Sequence, residues 1–143
     1  MSKLRTEMTV DKLNSRSHGY LPGMMGIELM EIAENTLKSR MPIKAFHIAP
    51  NGYLHAASVV ALADTTCGYA TVAHLPQGAL SFTTIELKSN YLGTLREGIA
   101  TCVATAQHLG GNTQVWDATV YDENTGKKIA LFRCTQMILW PKK

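Results

Sequence analysis

The sequence predicts an α+β domain in which one antiparallel β-sheet wraps a single long central helix over about residues 55–74. Three observations lead there. His55 to Ala73 is rich in alanine and free of proline, with a length that suits about five helical turns at ~3.6 residues per turn. That stretch is apolar on nearly every side, so the helix has to be covered over most of its surface. The remainder of the chain reads as extended runs, two before the helix and four after it, the first three of the latter rich in β-branched residues.

Taken in order, Thr9-Val-Asp-Lys-Leu-Asn-Ser reads as a short helix capped by Thr9, within a peripheral N-terminal segment covering residues 1–20. GIELMEIAENTLKSRM, Gly26 to Met41, is a hairpin that turns at Glu34-Asn35, because Asn tolerates a positive-φ turn position. After the helix come Ser81–Tyr91, Ile99–His108 and Val115–Tyr121, punctuated by Gly93, Gly98, Gly110 and Gly111. Asp122 to Gly126 is a turn cluster. Lys128 to Trp140 is the last strand, with Ile129, Leu131 and Arg133 on one side and Ala130, Phe132 and Cys134 on the other. The runs that follow the helix are expected to pair as a meander. With no repeat, low-complexity tract or linker, residues 1–143 are expected to form one domain.

Whole-chain properties narrow the function. The composition is 45% hydrophobic and 17% charged, which suits a globular chain that also hides surface in an oligomer. A net charge of +3, spread without a Lys/Arg block, gives no support for nucleic-acid binding but suits an anionic small molecule. Cys67, Cys102 and Cys134 have no CxxC spacing, and the N-terminus does not resemble a signal peptide; the expectation is a cytoplasmic protein with reduced thiols. The longest apolar stretch is broken by Asp64, Gly68 and His74, so no membrane span is expected. His18, His47, His74 and His108 lack metal-ligand spacing; neither metal nor cofactor is expected.

One carboxylate stands out inside the helix. Asp64 shares its face with Val60, Ala61, Cys67, Gly68 and Thr71, small or apolar residues that allow close approach. An acid in the middle of a helix is more often solvated or capping than catalytic, but on an apolar face desolvation raises its pKa and makes it a functional candidate. Cys67 has no His at a partner position and reads as a small apolar residue.

The string LHAASVVALADTTCGYA resembles the central helix of the hotdog-fold acyl-CoA thioesterases of the phenylacetate-pathway and 4-hydroxybenzoyl-CoA type, which carry HGG followed by ALAD or ALAE. The spacing from His55 to Asp64 matches. The likeness extends from MTVDKLN through IELKSNYL to HLGGNTQVWDATVYDENTGKKIA and looks nearest to the proofreading thioesterases of enterobactin biosynthesis. It implies hydrolysis of an acyl-CoA or acyl carrier protein thioester in a homodimer or homotetramer, with Asp64 as nucleophile or general base. It also implies that the Ala56 N–H polarises the thioester carbonyl, with Asp64 of one chain facing the His55–Ala56 loop of another. His55 is chiefly architectural in the family.

The chain departs from the family at several positions. Ala56 replaces the family glycine and keeps the N–H donor. Ala49 stands where relatives carry Gln or Asn, leaving Asn51, two residues on, as the candidate substitute. Tyr91 occupies the place of a family His near the acyl group. Gly68 falls where a hydroxyl residue assists the water, with Thr65 and Thr71 nearby. His108 and Gly110 belong to a loop that contacts coenzyme A in the family, and Arg96, His108, Lys127, Lys128 and Arg133 are the candidates to meet its phosphates. Ala49 and Ala56 also motivate an alternative, a non-catalytic acyl-CoA-binding protein on the same fold. HGYLPGMMGIELMEIAE, His18 to Glu34, is superficially similar to the opening of hotdog dehydratases, but there the segment leads straight into the central helix, whereas here a hairpin intervenes.

Overall fold

The computed structural model describes residues 3–143; Met1 and Ser2, the start of the expected peripheral segment, lie outside the described residues. Helix α1, Val10–Arg16, begins where Thr9 accepts the Lys12 N–H at 3.2 Å. Its Leu13 is fully buried, and the Asn14 amide bonds both backbone groups of Leu29, at 2.8 and 3.0 Å. The segment expected at the periphery therefore sends a core residue inward and satisfies part of an open sheet edge. A four-residue helix that the sequence reading lacked, α2 (Leu21–Met24), follows with proline in its first turn.

Strands β1 (Glu28–Ala33) and β2 (Thr36–Pro42) form the expected hairpin, and Asn35 takes φ 63° in its turn. A short 3-10 turn, Ala45–His47, then leads to α3, Ala56–Ala73. His55 caps that helix, its Nδ1 accepting the Ala57 N–H at 2.9 Å. Val59, Leu62, Ala63, Cys67 and Ala70 bury one face in the core, while Val60, Ala61, Asp64, Thr65, Gly68, Tyr69 and Val72 form a half-buried stripe. At the inner face, Ser39 of β2 and Thr66 share a hydrogen bond at 2.5 Å, and Thr66 donates to the Leu62 carbonyl at 2.6 Å, so the buried hydroxyls are satisfied. By length and composition α3 could cross a membrane, yet it is the core helix of this domain.

Strands β3 (Ser81–Tyr91), β4 (Ile99–Leu109), β5 (Thr113–Asp122) and β6 (Lys128–Leu139) complete one six-stranded sheet in the order β1-β2-β4-β5-β6-β3, antiparallel throughout. The expected meander holds for β4, β5 and β6 only. β4 pairs with β2, and β3 crosses to the far edge beside β6. The reason is that α3 runs across the concave face and delivers the chain to the opposite edge, which alternation within a strand does not encode. Trp116, Phe132, Cys134 and Ile138 line the inner face; Ile129 departs from its expected side because the β5–β6 register shifts at Val120/Tyr121. β3 has a neighbour on one side only, and nine of its eleven residues are exposed, including Ile85 at 52% and Leu87 at 43%.

Candidate functional site

Asp64 sits halfway along α3, at the edge of a cleft of about 240 Å³. Thr65 and Gly68 line the same cleft, joined by Tyr69 and Val72 of the helix, Pro22 of α2 and Phe82 and Thr84 of β3. Oδ1 of Asp64 is buried without a hydrogen-bond partner, and burial alone pushes its carboxyl above the usual carboxylate range. A stronger base than an ordinary carboxylate, not committed to any structural bond, thus faces an apolar recess. Gly68 shapes that recess: a Cβ there would lie 3.3 Å from Phe82 Cζ. Thr71, expected near the water, instead turns inward and donates to the Cys67 carbonyl at 2.8 Å.

The second group of expected residues lies at the start of the helix. Ala56 is its first residue, exposed, and among the described residues nothing accepts its N–H. Such an unpaired donor at the positive end of an 18-residue helix is suited to stabilise negative charge. Tyr91 belongs here: its hydroxyl donates to the Ala56 carbonyl at 3.4 Å. Asn51 folds onto its own loop, its Oδ1 accepting the Tyr53 N–H at 3.2 Å.

A third group lies beyond the other end of α3. Gly110 borders a groove of about 660 Å³ with Lys3, Arg5, His74 and Gln114, and the His108 ring covers it so closely that a Cβ on Gly110 would stand 2.6 Å from Nε2. Of the proposed phosphate partners, Arg133 is held in a two-pronged pair with Asp117, at 2.5 and 2.8 Å, and Arg96 lies over the Tyr53 ring at 4.9 Å. A hydrogen bond with Cys134, then burial, hold the Cys67 thiol well above its ordinary range, which leaves it a poor nucleophile. Among the described residues no cluster of His, Cys, Asp and Glu could hold a metal ion.

Within one chain the acid and the donor do not meet. Asp64 follows Ala56 by eight residues, about 12 Å along the axis at ~1.5 Å per residue. A thioester carbonyl touching both would need reach of roughly 3 Å to each. Sequence reasoning missed Pro22, Tyr69, Val72, Phe82 and Thr84. Gly68 and Val72 repeat at helical spacing from Asp64, so Val72 was legible; Pro22 and Phe82 arrive from other elements and left no such signal.

The thioesterase superfamily profile matches residues 51–129. The 1,4-dihydroxy-2-naphthoyl-CoA hydrolase of Escherichia coli is 29% identical, covering 94% of this chain and 98% of its own length. The proofreading thioesterase EntH of Cronobacter turicensis is 27% identical over 94% of this chain and 97% of its own. Among solved structures, a glutamine-to-alanine mutant of thioesterase PA1618 from Pseudomonas aeruginosa superposes with a TM-score of 0.90 at 28% identity, covering 96% of this chain and 99% of that one.

Proposed function

We propose that this chain, which belongs to the thioesterase superfamily and has the hotdog fold, acts as an acyl-CoA thioesterase that cleaves an acyl-CoA or acyl carrier protein thioester at a site shared between two copies. Asp64 of one subunit acts as general base or nucleophile, and the Ala56 N–H of the partner subunit polarises the carbonyl. As base, the carboxylate takes a proton from water while the hydroxide adds to the thioester carbon; the oxyanion forms against the N–H, the C–S bond breaks, and Asp64 returns the proton to the departing sulfur, releasing the free acid and the thiol. As nucleophile, the carboxylate adds to the thioester carbon, the C–S bond breaks to expel the thiolate and leave an acyl-aspartyl anhydride, and water then cleaves the anhydride to the free acid and restores Asp64. The observation that carries this reading is the buried, unbonded Oδ1 of Asp64 in an apolar cleft.

The shared site is supported by the separation of Asp64 from Ala56 and by the open edge of β3, where exposed Leu80, Ile85, Leu87 and Leu92 suit an antiparallel partner strand. The three free, buried cysteines accord with a cytoplasmic setting. Thiol release from a panel of aromatic and aliphatic acyl-CoA substrates tests the reading. Steady turnover of at least one member is expected; saturable binding of the panel without release would replace the enzyme with the acyl-CoA-binding alternative that Ala49 and Ala56 motivate.

A further inference from the structure

The proposed reaction needs two surfaces held in place: the first turn of α3, which carries the Ala56 N–H, and the wall that α2 raises beside Asp64. One buried side chain touches the supports of both. His47 is 0% exposed, and its Nδ1 accepts the Lys44 N–H at 2.9 Å, closing the 3-10 turn. The ring proton therefore resides on Nε2, which donates at 2.8 Å to the carbonyl of Met25, the C-terminal cap of α2. The His47 carbonyl accepts the His55 N–H and the Ser58 hydroxyl, both at 2.9 Å. The cap of α3 and the third residue of that helix thus hang on one carbonyl, in a turn that the ring helps to close. Pro22, one wall of the Asp64 cleft, is carried by the element that the same ring tethers.

We propose that His47 is a positioning residue for thioester hydrolysis, aligning the donor turn through Lys44 and the acyl wall through Met25; this rests on the thioesterase reading above. An apolar side chain of similar size would fill the space but could not accept on one side and donate on the other. In a shared site the donor turn serves one reaction centre and the α2 wall the other, so each ring ties the two centres together.

Two substitutions separate the two bonds. In His47→Asn the amide oxygen lies where Nδ1 was and keeps the Lys44 bond, but the side chain is too short to reach Met25. In His47→Gln the amide nitrogen reaches the place of Nε2 and keeps Met25, but the Lys44 bond is lost. His47→Gln should lower kcat roughly ten- to a hundredfold with KM little changed, since the donor is misplaced, whereas His47→Asn should raise KM and spare kcat. Equal effects of both variants on kcat, or wild-type kcat and KM with only a lower Tm, would overturn the proposal. Amide exchange at His55, whose N–H the His47 carbonyl accepts, and the Kd for a non-hydrolysable acyl-CoA thioether are read on the same proteins. Faster exchange in the Gln variant alone and weaker binding in the Asn variant alone support the proposal even if the wild type releases no thiol, in which case only the thioesterase reading fails. No change of either quantity in either variant overturns it. If one variant misfolds, the other still decides: unchanged exchange in His47→Gln, or an unchanged Kd in His47→Asn, overturns the proposal.

Discussion

At Asp64 the conflict between stability and function is concentrated in one oxygen. An unbonded buried carboxylate costs folding free energy, and nothing in the fold requires its charge. Asp64→Asn keeps the shape and removes the basic oxygen, so thioester turnover should fall about 100- to 10,000-fold, or further if Asp64 is the nucleophile. The sign for stability is opposite. Because the folded-state pKa is raised, the folded protein binds the proton more tightly than the unfolded chain, and the penalty is fully present above the raised pKa. Tm of Asp64→Asn should therefore equal or exceed that of the wild type near neutral pH. The gain should shrink as pH falls to about 4, where the wild-type carboxyl protonates in both states. Unfolding of the variant, or undiminished turnover, would instead assign Asp64 to a structural network.

The elements are held to one another by two buried imidazoles, one at each end of α3. His47 joins the helix start to α2. At the other end, the His74 Nδ1–H donates to the Ala70 carbonyl at 2.7 Å and Nε2 accepts the Asn35 N–H at 3.0 Å, fastening the β1–β2 turn to the helix. Both rings are neutral in these bonds, and for both burial is the main cause that lowers the pKa. A depressed histidine pKa means that the unfolded chain takes up protons first: stability is full above about 6.5, the unfolded value, and is lost as pH falls below it. Calorimetric Tm should decline between pH 7 and 5, and His74→Gln, which removes one titrating group, should flatten that decline. An unchanged slope in His74→Gln would show that the ring does not drive the acid response.

For the whole molecule, the separation of acid and donor along one helix makes assembly part of the chemistry. Light scattering at micromolar concentration should give at least a dimer; a monomeric mass would remove the shared site. Complementation provides the sharper test. Ala56→Pro deletes the proposed donor at a helix position where proline is tolerated, and His55, at φ −64° and ψ 135°, already has the backbone that precedes proline. Asp64→Asn and Ala56→Pro homodimers should each be nearly inactive, but subunit exchange between them should restore roughly a quarter of wild-type turnover, because each mixed dimer carries one intact centre. No recovery after confirmed exchange would place both groups in the service of a single chain.

The sequence by itself determined the local elements and the acid. The α3 boundaries, the Thr9 cap, the Glu34-Asn35 turn and the anomaly of Asp64 are set by residues within a few positions of each other, through periodicity, capping and turn stereochemistry. Tertiary structure decided the rest. That β3 leaves the meander for the edge beside β6, that Leu13 enters the core, and that Pro22 and Phe82 wall the cleft all depend on where α3 delivers the chain. The candidate site was legible as residues but not as a place: Asp64 with Thr65 and Gly68, Ala56 with Tyr91, and His108 with Gly110 occupy the middle, start and far end of one helix. Linear spacing states which side chains share a helix face, whereas the distance between the ends of an 18-residue rod, and what other elements bring against it, is set only when the sheet closes around it.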